Sequence, residues 1–239
     1  MHWLIKNFIR QRNYPNFELK AVFFDMDGIL FDSMPFHAEA WVKAMNDFDL
    51  PFSLHDAYMN EGRTGGSTID EMFLKKYNLT SDQQTKQKIY AKKSDYFNQY
   101  STGLKPIDDV FELLKILKNK GLQIFVVTGS AQVSLLDTLD RHFPDIFERE
   151  KMITAFDVKI GKPAPEPYLM ALSKAGVEAW QAAVVENAPL GIRSAVTAGL
   201  FTIGINTGIL KTEELENEGA NIILPNMKSL IERLDGLFF

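Results

Sequence analysis

Asp25 and Asp27, two carboxylates two residues apart in Asp25-Met26-Asp27-Gly28, are the first residues in the chain that could do chemistry. They follow the apolar run Ala21-Val22-Phe23-Phe24, so Asp25 takes a strand's last position and Asp27 stands just beyond it. Placed there, both can converge on one cation, while Gly28 lets the backbone turn sharply away. Asp-x-Asp-Gly alone fits equally a strand end followed by a polar turn.

Three further strand ends weigh against that plain reading. The run Gln123 to Thr128 closes in Thr128-Gly129-Ser130 before a helical pattern, which offers a hydroxyl and backbone N–H groups to a phosphate oxygen. Gly161-Lys162-Pro163-Ala164-Pro165 sets a lysine on a rigid loop, where its ammonium could neutralise phosphate and nucleophile together. The run Ala183 to Glu186 ends in Glu186-Asn187, oxygen ligands suited to a hard cation such as Mg²⁺. Each alone has a dull explanation: an N-cap, a surface lysine, a solvated acid. Together, at one edge of one sheet, they indicate phosphoryl transfer.

The elements that must position these residues alternate along the chain. Continuous apolar runs suit strands buried on both faces of a parallel sheet. They recur at Thr202 to Ile205 and Ile222 to Leu224. Between them lie amphipathic helical patterns, such as Val110, Leu113, Leu114 and Leu117, then Leu135, Leu136, Leu139 and Phe143. Further helices are predicted over Pro165 to Lys174 and Leu190 to Ala198, the latter stopped by Gly199. The alternation predicts an α/β fold, a doubly wound parallel sheet of Rossmann-like type. From Met34 to Leu104 only helical periodicity appears, so the division expected is an extension over 1–18, a catalytic core over 19–33 and 105–239, and an inserted all-helical cap over 34–104.

The set Asp25-x-Asp27, Thr128, Lys162 and Glu186-Asn187 resembles the four motifs of the haloacid dehalogenase superfamily, from about Ala21 to the C-terminus. The stretch Asp25-Met26-Asp27-Gly28-Ile29-Leu30-Phe31-Asp32-Ser33, followed by His37 and Trp41, is similar to its β-phosphoglucomutase-like branch. That resemblance implies a nucleophilic Asp25, an acid–base Asp27, phosphoryl binding by Thr128 and Lys162, and Mg²⁺ held by Asp25, the Asp27 carbonyl and motif four, Glu186 and Asn187. An acid at position 27 argues against carbon–halogen cleavage, because dehalogenases of the superfamily lack it. Two departures bear on substrate. Motif four ends in Asn187 where the mutases carry aspartate, and Glu61 stands where they carry lysine. Gly65 replaces an arginine, and Ala131-Gln132 replaces another lysine. Arg63 can substitute for one of these cations. Glu61 reads either as an exposed loop acid or as a compensating ligand that swings to the metal. The second reading favours a compact, metal-bound substrate, with inorganic pyrophosphate the best fit. The alternatives are β-phosphoglucomutase, or a small sugar-phosphate phosphatase. His37 reads as a positioning group or as packing, Gly129 and Ser130 as substrate contacts, and Trp41 as core.

Composition narrows the partners. A net charge of −5 with only short basic clusters such as Lys92-Lys93, read as a solvated helix face, excludes a nucleic-acid footprint. The absence of cysteine removes thiolate and disulfide chemistry and fits a reducing cytoplasm. In Met1 to Arg10, Lys6 interrupts the apolar residues, and no run reaches the roughly 18 needed to span a membrane. The expected partner is a small phosphorylated molecule, bound by a monomer. Residues 1–18 are expected to pack on the surface or fray.

Overall fold

The computed structural model describes residues 3–130 and 133–239. Six parallel strands form one sheet in the order β3-β2-β1-β4-β5-β6: β1 is Ala21–Phe24, β2 Gln123–Val127, β3 Met152–Ile153, β4 Ala182–Glu186, β5 Phe201–Ile205 and β6 Ile222–Leu224. Strand order reverses between β1 and β4. The crevice outside their carboxyl ends is where an open α/β sheet binds ligands. Every residue of β1, β4 and β5 is buried, as continuous apolar runs require of a sheet covered on both faces.

Side-chain alternation divides the core into two layers. Val22, Phe24, Ile124, Val126, Ala183 and Val185 point to one face, which packs on helix α6 (Val110–Asn119). Ala21, Phe23, Phe125, Val127, Ala182 and Val184 point to the other, covered by α8 (Glu166–Ala175) and α9 (Pro189–Thr197). Gly199 supplies the left-handed residue after α9 at φ +85°. Helix α7 spans Val133–His142, with Leu139 and Phe143 buried. The side chains of Leu135 and Leu136 lie outside what is described. The two-residue edge strand β3 did not register as a pattern, because two residues carry no period.

Residues 34–100 hold four helices and no strand: α2 (Met34–Asn46), α3 (Leu54–Met59), α4 (Gly65–Tyr77) and α5 (Gln83–Tyr100). A third apolar cluster, including Met34, Ala38, Met45, Ile69, Met72 and Ile89, joins them and extends to Ile192, Leu210 and Leu215 of the α/β layers. Ser53 starts α3 with a reciprocal capping box to Asp56.

The amino-terminal segment is ordered along its described length. Helix α1 (Trp3–Arg12) buries Ile5 and Phe8. Phe8 meets Phe201 of β5 edge-on at 5.4 Å, and Phe17 stacks on Phe238 at 5.7 Å. The Tyr14 hydroxyl donates to the Gly199 carbonyl at 3.1 Å, and Glu18 N–H donates to Trp180 O at 3.1 Å. The segment packs rather than frays, because aromatic burial outweighs the interruption by Lys6. Among the described residues, no helix is long and apolar enough to cross a membrane.

Candidate active site

Asp25 directly follows β1, and its N–H still donates to Val185 O of β4 at 3.0 Å, which fixes the carboxylate over the switch point. Lys162 enters from the loop before α8, ahead of a cis bond to Pro163. Its Nζ lies 2.5 Å from Asp25 Oδ1, 2.6 Å from Glu186 Oε1 and 3.0 Å from Val127 O. Burial alone would lower the Lys162 pKa, but the Asp25 and Glu186 carboxylates outweigh it and hold the ammonium well above its usual value. Burial pushes Asp25 up to about 8; Glu186 and Asp27 add to that, and Lys162 opposes it.

Glu186, expected among the metal ligands, is placed otherwise. Oε1 accepts from Lys162 and, at 2.9 Å, from the Tyr168 hydroxyl. Oε2 accepts the backbone N–H groups of Asn187 and Ala188 at 3.0 and 3.1 Å. With both oxygens occupied, this carboxylate orients Lys162 rather than facing a metal.

Asp27 heads a second chain of contacts. Its Oδ1 accepts from the Ser33 hydroxyl at 2.6 Å and meets His37 Nε2 at 3.1 Å. Lys93 Nζ lies 2.6 Å from His37 Nδ1, and the imidazole stacks on Phe97 with ring centres 4.0 Å apart. Burial would raise Asp27; His37, Ser33 and Lys93 together hold it below its usual value instead. An ammonium can only donate, so His37 Nδ1 accepts while Lys93 is charged, and Nε2–H then points to Asp27. His37 is thus both packed and linked to the acid–base aspartate. Lys93 corrects the reading of Lys92-Lys93 as a solvated face, for it is 3% exposed and is a site residue that sequence reasoning missed. The available signal was the spacing Ile89, Lys93, Phe97, which places a lysine on the buried face of α5.

Glu61 and Asn187 meet across the two halves of the molecule: Asn187 Nδ2 donates to both Glu61 oxygens at 3.0 and 3.1 Å. Glu61 is buried, which overturns the exposed-loop alternative. The loop it stands on presses against the sheet side. A Cβ on Gly129 would come within 2.5 Å of the Gly62 carbonyl oxygen, so glycine permits this approach. Gly28, at φ +83°, similarly has no room for a Cβ beside the Asn187 amide. Thr128 is buried and accepts the Ser130 N–H at 3.0 Å. Ala131 and Gln132, where a phosphate-binding lysine is missing, lie outside the described residues.

These groups enclose a cavity of about 70 Å³. Its polar lining includes Asp25, Asp27, His37, Glu61, Arg63 and Lys93, with Gly129 and Ser130 beside them. Its apolar wall includes Met34, Trp41, Phe52, Ala57 and Tyr90. Trp41 is therefore a cavity residue rather than deep core. Among the described residues, no three acid or histidine side chains gather as a ready-made metal cluster. The residues nonetheless fit a hard cation through a mixed oxygen set. Asn187 Oδ1 is buried without a partner among the described residues. Burial raises Glu61 well above its usual pKa, and the Asp25 and Glu186 carboxylates push the same way. An orphaned amide oxygen beside mutually repelling carboxylates is what an Mg²⁺ would relieve.

The chain matches the model of the family described as haloacid dehalogenase-like hydrolase over residues 22–205. A solved structure titled "Putative beta-phosphoglucomutase from Bacteroides vulgatus" is 45% identical at a TM-score of 0.93, covering 97% of this chain and 94% of that one. A phosphorylated carbohydrates phosphatase of Thermotoga maritima is 30% identical across 77% of this chain and 84% of its own length. A Caldanaerobacter subterraneus protein named "Putative pyrophosphatase PpaX" is 26% identical across 92% and 96%. This chain belongs to the haloacid dehalogenase-like hydrolases, in their β-phosphoglucomutase-like branch, and is an enzyme of phosphatase or phosphotransferase type.

Proposed function

We propose that this family member is a Mg²⁺-dependent phosphohydrolase working through an aspartyl-phosphate, with inorganic pyrophosphate as its substrate. The observation that carries the chemistry is Asp25 held at the end of β1 against Lys162, with Asp27 two residues on in its own hydrogen-bonded setting. An Asp25 oxygen attacks phosphorus as the bond to the leaving oxygen breaks, and Lys162 offsets the charge that gathers on the transferring group. The negative charge of the arriving substrate opposes the ionisation of Asp27 and lifts its pKa from the depressed resting value, so that it enters the step protonated and gives that proton to the leaving oxygen. It then takes one from the water that attacks phosphorus, which releases phosphate and regenerates Asp25. Both Ser33 and His37 engage Oδ1 of Asp27, and its other oxygen takes no hydrogen bond among the described residues. Asp25, the Asp27 carbonyl, Asn187 Oδ1 and Glu61 would hold the magnesium, which when bound supplies charge stabilisation to the phosphoryl oxygens.

Pyrophosphate is favoured by Glu61. Its contact with Asn187 brings a carboxylate to the metal side of the cavity, where a mutase has a cation for a sugar phosphate. A cavity of about 70 Å³ also suits a compact substrate. A second reading, a small phosphate monoester with an organic portion, is favoured by the apolar wall of Met34, Trp41, Phe52 and Tyr90. The lack of cysteine suits a reducing compartment, and we place the enzyme in the cytoplasm as a monomer.

One assay separates these readings: kcat/KM for phosphate release from pyrophosphate, against conversion of β-glucose 1-phosphate to glucose 6-phosphate with its bisphosphate activator. Pyrophosphate is expected to win by about 10²-fold or more. Glu61→Ala is expected to weaken Mg²⁺ dependence and turnover by about 10- to 100-fold. Faster formation of glucose 6-phosphate, or an unchanged Glu61→Ala enzyme, sinks the pyrophosphate reading.

A further inference from the structure

We propose that the loop after β5, residues 206–210, positions the metal side of the site: it seats Tyr58 of α3 on Gly208 and so holds Glu61 against Asn187. The inference rests on the reading above that Glu61 serves the magnesium, and adds the element that places it. The ring of Tyr58 lies directly on Gly208, where a Cβ would come within 2.7 and 2.9 Å of its Cε1 and Cδ1 atoms. Gly208 does not have the positive φ that favours glycine, so this approach, not the backbone, requires the missing side chain. Two further contacts fasten the same helix to the same stretch of chain. His55 Nε2 lies 2.7 Å from Glu214 Oε1 of α10 (Thr212–Glu216), and Ala57 and Tyr58 share an apolar cluster with Leu210 and Leu215.

Glu61 N–H donates to the Tyr58 carbonyl at 3.3 Å, so the seat of the ring fixes where the carboxylate starts. On the loop's other side, the Thr207 hydroxyl donates to Gly28 O at 2.6 Å. Gly28 packs against the Asn187 amide, and that amide donates to Glu61. The contacts therefore close a circuit through Tyr58, Gly208, Thr207, Gly28, Asn187 and Glu61. Tyr58, Thr207 and Gly208 stand outside the cavity lining, so they are positioning residues that act through Glu61 and the motif-one turn. Glu61 approaches the Asp25 and Glu186 carboxylates, which repel it. An uncharged seat set by shape supplies the support that charge withholds, as outer groups that orient a metal ligand do.

The test is Mg²⁺ affinity, measured by titration calorimetry on the full chain carrying Gly208→Ala, whose methyl displaces the ring. The dissociation constant is expected to rise about 10-fold. In a Glu61→Ala background the same change should alter it by less than about twofold, because no carboxylate is left to misplace. A merely structural role for Gly208 would lower affinity by the same factor in both backgrounds. Thr207→Val, which removes only the hydroxyl, serves as the second variant should Gly208→Ala fold poorly, and should raise the constant about fivefold. An affinity within about twofold of the parent in the folded variant, or equal losses with and without Glu61, overturns the seat and leaves the hydrolytic reading intact. Failure of the unsubstituted chain to bind Mg²⁺ overturns both.

Discussion

Two buried lysines back the motif-one aspartates, Lys162 by touching Asp25 and Lys93 through His37 beside Asp27, and their electrostatics run in opposite directions. Lys162 is hemmed in by two carboxylates, which hold its ammonium charged. Lys93 faces a neutral imidazole and the rings of Trp41, Tyr90 and Phe97 at 5.5, 6.0 and 5.0 Å. Burial drives its pKa down to about 7, and the Asp27 charge opposes this only in part. Depth alone does not decide a buried lysine's charge; the partners that replace water do. The sheet side of the cavity is thus electrostatically fixed, whereas the helical side holds a group poised to titrate at neutral pH.

Lys162→Ala should have the largest effect. It strands two buried carboxylates without their cation, and stability at pH 7 should drop by about 3–5 kcal/mol as turnover is lost. A loss below about 1 kcal/mol in urea unfolding would break the contrast, since an exposed pair gives no more. Lys93→Met should act with the opposite sign. Between pH 7 and 10.5 the unfolded chain holds a proton that the folded chain has released, so native stability rises with pH across that window. The slope should reach at most about 1.4 kcal/mol per pH unit. The methionine variant should be more stable than the parent at pH 6 and lose that advantage towards pH 10, while turnover falls because His37 loses its partner. Destabilisation of the variant at pH 6 would sink the assignment. Tyr168→Phe sharpens the comparison at the small end. It removes one of four donors on Glu186 and should cost about 1 kcal/mol.

The fold and the sheet side of the site were legible because both are written locally. Apolar runs ending in Asp25, Thr128 and Glu186 give strand, edge and chemistry in the same few residues. The role of Glu186 was not legible, because its four donors arrive from Lys162, Tyr168 and its own following N–H groups only once the chain is folded. Lys93 was hidden by its neighbour: Lys92 beside it suggested a solvated pair, although residues adjacent on a helix point in different directions. Helix α1 was obscured by Lys6, which interrupts the apolar sequence but not the packing of Ile5 and Phe8.

That first helix has a consequence for how the chain is made. Phe8 and Phe17 dock against Phe201 and Phe238, which are synthesised much later. The aromatic rings of this segment must therefore wait, uncovered, until the segments carrying Phe201 and Phe238 have been made. Joining them closes loops of about 190 and about 220 residues, whose entropic cost grows only slowly with length. The wait is thus a matter of time more than of equilibrium, and in that interval Phe8 and Phe17 are exposed to self-association or to a chaperone.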